Sequence, residues 1–203
     1  MLRSRDLSGV LCYGGTSKSY RAKPKCHTDT KQSNGTPRLC SDRFLKGWDA
    51  MQEHDKVADF TLQNEDGNSV KLSGFAGKPV VLFFYPKADT PGCTIEACGF
   101  RDQFAKLQKA GAVVLGISRD TPKAQKKFKE KYDLPYTLLA DIDELVCNQF
   151  GVLKEKNMYG KKVMGIERTT FLIGPDQKIA KVFPKVKPEG HAEEVLTAIK
   201  AAK

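Results

Sequence analysis

The sequence lacks several patterns by which a function is usually recognised. Its six cysteines include no C-x-x-C pair, which argues against a dithiol oxidoreductase built on that motif. It has no glycine-rich nucleotide fingerprint. It also has no apolar run long enough to cross a membrane, and its amino-terminal residues lack the apolar core of a secretory signal. These absences disfavour a C-x-x-C oxidoreductase and a nucleotide-binding enzyme.

The chain is basic, with 34 Lys and Arg residues against 24 Asp and Glu residues and a net charge of +10 over 203 residues. Basic proteins often bind nucleic acid or acidic surfaces. The lysines are nevertheless scattered, and the densest group, at 123–131, falls in a predicted surface helix without interleaved aromatic residues. We therefore predict a solvated basic face and no nucleic-acid partner.

Residues 1–52 differ in character from the rest of the chain. They form a basic, Ser/Thr-rich extension with few apolar residues, which predicts disorder. The spacing of Cys12, Cys26, His27 and Cys40 is too wide for a zinc knuckle. The extension is either an organelle transit peptide or an addition without function. Cysteine usage favours a reducing compartment, so a cytoplasmic location is expected, with an organelle as the alternative.

Residues 53–203 are predicted to form one α/β domain. Strands alternate with helices, which predicts a central mixed β-sheet flanked by helices. The Asp66-Gly67 turn between two short runs predicts an amino-terminal β-hairpin. Thr121 and Gly151 are predicted to cap one helix and to end another. The predicted strands are 58–62, 69–72, 80–84, 112–118, 136–140, 169–173 and 179–183, and the predicted helices are 95–108, 122–132, 143–150 and 189–201.

The most informative stretch runs from Tyr85 to Asp102, YPKADTPGCTIEACGFRD. It follows the apolar run 80–84, and Pro91-Gly92 turns the backbone immediately before Cys93. A thiol in the first turn of a helix faces unpaired N–H groups and a partial positive charge, both of which favour the reactive thiolate. The alternative is that Cys93 is a small buried hydrophobic residue, as most free cysteines are.

Cys98 follows Cys93 by five residues, which corresponds to about 7.5 Å of helical rise and about 500° of rotation. Because a disulfide needs facing Cβ atoms and Cα atoms within roughly 7 Å, the two cysteines cannot bond while the helix is intact. Any redox cycle between them must unwind the first turns. The alternative is that Cys98 is a core residue that never reacts.

This segment resembles the active site of the peroxiredoxins, most closely the branch called bacterioferritin comigratory protein or peroxiredoxin Q. The family pattern P-x-x-x-T-x-x-C is matched by Pro86, Thr90 and Cys93, and the second cysteine of the branch by Cys98. Gly92, Glu96 and Arg101-Asp102 also fall in register. The resemblance covers residues 55–203.

The resemblance implies a thioredoxin-like fold and a thiol-dependent peroxidase of the atypical two-cysteine type. Cys93 would attack hydrogen peroxide or an organic hydroperoxide and become a sulfenic acid. Cys98 would resolve it as an intramolecular disulfide, which thioredoxin or a similar dithiol would reduce. Thr90 would bind the peroxide, Pro86 would shield the site, and Arg168 would stabilise the thiolate. Without the family, we would interpret Thr90 as a turn residue and Arg168 as a solvated charge.

The implied chemistry needs no metal, flavin or haem, so no cofactor is expected. Both cysteines lie in one chain, which makes a monomer sufficient, and no membrane partner is expected. A non-enzymatic thiol binder or holdase with the same fold stays open as an alternative. Cys147 lies among apolar residues and is predicted to be a core residue. The residues 44–51 around Trp48 and the polar insert 158–162 receive no assignment.

Overall fold

The computed structural model describes residues 50–158 and 161–201. The predicted extension 1–52 lies outside this range except for its last three residues, and so do Trp48 and the four metal-ligand candidates of the extension. None of the described helices is both long and apolar enough to span a membrane.

The described part of the chain forms nine strands and four α-helices. In chain order these are β1 (Thr61–Asn64), β2 (Ser69–Lys71), β3 (Val80–Phe84), α1 (Pro91–Lys109), β4 (Val113–Ser118), α2 (Pro122–Lys131), β5 (Thr137–Ala140), α3 (Leu145–Gln149), β6 (Leu153–Met158), β7 (Lys161–Ile166), β8 (Thr169–Ile173), β9 (Ile179–Phe183) and α4 (His191–Ala201).

Seven strands form one mixed sheet in the order β2-β1-β5-β4-β3-β8-β9. Strands β3, β4 and β5 are parallel, whereas β1, β8 and β9 pair with their neighbours in the antiparallel sense. The predicted fold class, a thioredoxin-like α/β fold with a central mixed sheet and an amino-terminal hairpin, is confirmed. The remaining strands, β6 and β7, form a separate antiparallel pair.

The central strand β3 is buried on both faces, which is typical of a parallel strand inside an α/β sheet. Val81 and Phe83 point into a core under α1, α2 and α4, and Val80, Leu82 and Phe84 point into a core on the opposite face. The opposite core includes Val146, Cys147 and Phe150 from α3 and the residue that follows it. Each face of the sheet is therefore covered by helix.

Several predicted boundaries and one element were wrong. Helix α1 begins at Pro91 instead of after Thr94, because Pro is well suited to the first helical position. Strand β1 lies at 61–64 instead of 58–62, where it pairs with both β2 and β5. The helix predicted at 143–150 shortens to α3, because Glu144 adopts a left-handed backbone at its start. The antiparallel pair β6–β7, which overlaps the insert 158–162 that receives no assignment from the sequence, is not predicted.

Two helix ends follow the predicted chemistry. The hydroxyl of Thr121 accepts a hydrogen bond from the backbone N–H of Ala124 and caps α2. Gly151 follows α3 with a φ of +64°, and a Cβ built there would lie 2.5 Å from the Cα of Ala50. Glycine is therefore required at residue 151 both by its backbone angle and by the close approach of the chain.

Candidate active site

Cys93 occupies the first turn of α1, directly beyond the carboxyl end of β3. Thr90 is the N-cap with an extended backbone, and its carbonyl oxygen accepts the first helical hydrogen bond from Thr94 at 2.9 Å. The thiol is only 2 % exposed. It lies at the positive end of a 19-residue helix, a location that favours an anion. The predicted placement of the thiol is confirmed.

Arg168 is 75 residues from Cys93 in sequence but contacts it directly: its Nη2 lies 3.3 Å from the Cys93 Sγ. The sheet register explains this contact. Phe84, the last residue of β3, pairs with Thr169, the first residue of β8. Arg168 therefore lies at the same end of these strands as the loop that leads from β3 to α1. Burial of the guanidinium opposes its charge, but Glu96 and Cys93 together raise the pKa of Arg168. The guanidinium therefore stays charged beside the sulfur.

Glu96 is a site residue whose role is not predicted from the sequence. It lies three residues after Cys93 on the same face of α1, it is 1 % exposed, and its Oε2 pairs with Nη1 of Arg168. Its Oε1 is buried without a hydrogen-bond partner among the described residues. Burial raises the pKa of the Glu96 carboxyl to about 7, although Arg168 acts in the opposite direction. The i, i+3 spacing from the cysteine is the signal that could have identified it.

Gly92 makes room for the arginine. A Cβ at this position would lie 3.2 Å from Nη2 of Arg168 and 3.7 Å from Cγ of Pro188. The guanidinium consequently approaches the first turn of α1 more closely than a side chain at residue 92 would allow.

A largely buried network of polar side chains holds the loop that carries Pro86 and Thr90. The backbone N–H of Ala88 donates to Oδ2 of Asp120 at 2.7 Å, and the hydroxyl of Ser118 donates to the same oxygen at 2.8 Å. Ser118 in turn accepts from Nε2 of Gln125 at 2.8 Å, and Oε1 of Gln125 accepts from the hydroxyl of Tyr85. Burial raises the pKa of Tyr85 far above its ordinary value, so the phenol remains a donor.

Thr90 and Pro86 both lie on this loop, half-buried near Cys93. The hydroxyl of Thr90 donates to the carbonyl oxygen of Lys87 at 3.1 Å. Since a hydroxyl has one proton and two lone pairs, its oxygen stays able to accept a hydrogen bond from a third group. The residue before Thr90, Asp89, has a left-handed backbone with a φ of +56° and accepts from Nζ of Lys131 at 2.8 Å and from the hydroxyl of Tyr132 at 2.7 Å.

Cys98 lies on the same helix as Cys93, and both cysteines are free. Cys98 is half-buried, and one helical turn and a half separates it from Cys93. Continuous helix from 91 to 109 keeps the two sulfurs apart, in accordance with the spacing argument. The structure therefore brings Arg168 to Cys93 but does not bring Cys98 to it.

Cys147 is remote from this site. It is fully buried in the core on the opposite face of the sheet, and its backbone N–H donates to Oδ2 of Asp141 at 2.7 Å. Burial raises the pKa of its thiol far above the ordinary value, and the neighbouring Asp141 adds to the shift. This thiol is held in its unreactive form, and the interpretation of Cys147 as a core residue is confirmed.

Among residues 50–158 and 161–201 no three or more His, Cys, Asp or Glu side chains are grouped as metal ligands.

Comparison with known proteins gives matches over most of the described domain. Residues 54–182 match the AhpC/TSA family. A putative peroxiredoxin Bcp of Coxiella burnetii is 57% identical over 141 residues, which are 70% of this chain and 93% of that protein. Peroxiredoxin Bcp of Escherichia coli K12 is 49% identical over 150 residues, 74% of this chain and 96% of that protein.

Solved structures agree with these matches. The bacterioferritin comigratory protein of Xanthomonas campestris, solved as trapped intermediate and ligand complexes that bear on its alkyl peroxide reduction, is 44% identical with a TM-score of 0.68. The similarity covers 70% of this chain and 91% of that one. Peroxiredoxin 6 of Arenicola marina is 20% identical with a TM-score of 0.67 and therefore supports the fold alone.

Proposed function

The chain belongs to the AhpC/TSA family, in its bacterioferritin comigratory protein or peroxiredoxin Q branch, and we propose here which of its residues carry out each step of the branch's reaction. It is a thiol-dependent peroxidase, an antioxidant oxidoreductase that reduces peroxides. The roles of Cys93 and Arg168 rest on the geometry of the site, and those of Thr90, Pro86 and Cys98 rest chiefly on their match to the family motif.

Cys93 is the peroxidatic residue. Its thiolate attacks one oxygen of the hydroperoxide, an S–O bond forms and the O–O bond breaks, and the departing oxygen takes up a proton and leaves as water or an alcohol. The sulfur is oxidised by two electrons to a sulfenic acid. The observation that carries this assignment is the 3.3 Å contact between the Cys93 Sγ and the charged Arg168, at the positive end of α1.

Arg168 and Thr90 supply the polar contacts of the peroxide. The guanidinium has further N–H groups that can donate to the oxygen on which charge develops in the transition state. Thr90, whose proton is directed to Lys87, accepts a hydrogen bond from the peroxide O–H. Pro86 has no N–H to compete for the substrate and covers the site from water. Glu96 holds Arg168 through an ion pair and acts as a positioning residue.

Cys98 is the resolving residue. Its thiol attacks the sulfenic sulfur of Cys93, an S–S bond forms, and the hydroxyl leaves as water with the thiol proton. A dithiol protein such as thioredoxin then reduces the disulfide by exchange. Since both thiols belong to one chain, we propose a monomer as the working unit. We also propose a reducing compartment as the place of action, in which such a dithiol is maintained.

The proposal is tested with one equivalent of hydrogen peroxide and a count of the thiols lost. The parent chain is expected to lose two of its six thiols, and Cys93→Ser is expected to lose none rapidly. Cys98→Ser should react once, accumulate a sulfenic acid that dimedone traps, and fail to turn over with thioredoxin. Cys147→Ser is the matched control and should behave like the parent. Peroxide consumption at the parent's rate by Cys93→Ser would refute the assignment.

A further inference from the structure

The resolving step needs the start of α1 to come apart, and the side chains that pack this part of the helix into the core, Cys93 and Ala97, are small. Arg168 contacts Cys93 and pairs with Glu96, and the hydroxyl of Tyr136 donates to the carbonyl oxygen of Ala97 at 2.8 Å. After Cys93 becomes a neutral sulfenic acid, Arg168 loses the charge that the thiolate offered it. The hold on the first turns therefore weakens when resolution is required.

The part of α1 that follows is anchored much more firmly. Phe100 is fully buried, stacks on Phe83 with ring centroids 4.8 Å apart, and meets His191 edge-on at 5.7 Å. Nη1 of Arg101 donates to the carbonyl oxygen of Tyr132 at 3.0 Å. Unwinding beyond Phe100 would expose this aromatic cluster to water, so the helix from Phe100 onward should survive the oxidation.

Gly99 lies between these two parts, directly after Cys98. Glycine is the least favourable residue for a helix interior apart from proline, because it gains the most conformational freedom when the helix opens. Packing does not demand it: a Cβ at residue 99 would meet only the Cβ of Ala192 at 3.9 Å, an ordinary contact. Glycine at residue 99 therefore changes the free energy of the opened state of α1 more than that of the closed helix.

We propose that Gly99 is the hinge at which α1 unwinds, and that it positions Cys98 for attack on the oxidised Cys93. This inference rests on the proposed roles of the two cysteines. Residues 91–98 leave the helix, the helix persists from Phe100, and the freedom of Gly99 allows Cys98 to turn back toward Cys93. The reaction itself is the condensation already described: the S–S bond forms, the S–O bond breaks and water leaves.

Gly99→Ala tests the hinge. Alanine stabilises the closed helix relative to the opened one, so disulfide formation after a single peroxide pulse is expected to slow about two- to five-fold. Sulfenic acid formation should keep the parent's rate. With excess peroxide, the longer-lived sulfenic acid should give more sulfinic acid at Cys93, measured by mass spectrometry. Gly74→Ala, with open space around its Cβ position and outside α1, is the control with the same substitution.

Hydrogen exchange of the oxidised parent provides an independent measurement. Amides 92–102 should exchange rapidly after disulfide formation, because those of 100–102 lose the carbonyl acceptors of residues 96–98, and protection should persist from Gln103 onward. Resolution at the parent's rate in Gly99→Ala, or loss of protection extending beyond Phe104, would overturn the hinge. Failure of the proposed function has a different signature, namely an intramolecular disulfide that forms in Cys98→Ser at the parent's rate.

Discussion

Acidification from about pH 7.5 to about pH 6 is expected to slow closure of the Cys93–Cys98 disulfide through the titration of Glu96. In the intact helix, burial raises the pKa of this carboxyl from its ordinary 4.5 to about 7. Once the first turns of α1 unwind, Glu96 is exposed and should return to about 4.5. The carboxyl therefore binds a proton more readily in the closed helix than in the opened one. Linkage then requires that acid stabilise the closed helix.

The magnitude follows from these two pKa values. The factor by which protonation favours the closed state is 1 + 10^(7 − pH), about 1.3 at pH 7.5 and about 11 at pH 6, with almost no change for the opened state. Opening should become about eight-fold less favourable over this interval. The stabilisation is complete below about pH 4.5 and is lost as the pH rises through about 7. An ion pair with Arg168 that outweighed the cost of burial would have placed the pKa below 4.5 and reversed the sign.

The assay is a single-turnover experiment in which a peroxide pulse oxidises Cys93 and the remaining thiols are alkylated at intervals. Glu96→Gln keeps the shape of the side chain without its titration and serves as the control. Acid also lowers the thiolate fraction of the attacking cysteine, but it does so in both proteins. The rate of the parent divided by that of Glu96→Gln is therefore the informative quantity, and it should fall about eight-fold. A constant ratio, or a ratio that rises in acid, would refute the reasoning.

Two further predictions concern the contacts of α1. Gly92→Ala should displace the guanidinium of Arg168 by a few tenths of an ångström from Cys93 and slow sulfenic acid formation about three- to ten-fold; a rate equal to that of Gly74→Ala in stopped-flow measurements would contradict this. Tyr136→Phe removes the hydroxyl that holds the Ala97 carbonyl oxygen, and disulfide formation should become about two- to ten-fold faster. A slower resolving step in that variant would mean that Tyr136 does not restrain the start of α1.

The elements predicted best from the sequence were those whose burial leaves a complete signal in the local residues. Strands β3, β8 and β9 were predicted with their observed bounds, because most of their residues are apolar, β-branched or aromatic and turn residues flank them. The hairpin β6–β7 was not predicted because lysines and other polar side chains make up half of its residues and interrupt its apolar ones. Its apolar members, such as Leu153 and Ile166, face each other only once the two strands are paired.

The candidate site likewise contains residues that the local sequence identifies and residues that it does not. Cys93, Cys98, Thr90 and Pro86 lie within thirteen residues, so motif and helix geometry sufficed to bring them together as candidates. Arg168 reaches the sulfur through long-range sheet pairing, which no local pattern encodes, and only the family resemblance pointed to it. The energetic role of Glu96 depends on its burial, which spacing alone does not reveal.

The pairing of β3 with β8 has a consequence for how this enzyme tolerates change. Because the Phe84–Thr169 rung sets the position of Arg168, the arginine is located by a ladder and not by the length of chain that leads to it. The β6–β7 pair, which lies outside the seven-stranded sheet, can therefore lengthen or shorten at its end remote from Leu153 and Ile166 while catalysis continues. A register shift of one residue in β8, with the sequence unchanged, would turn Arg168 to the other side of the sheet and abolish the peroxidase activity.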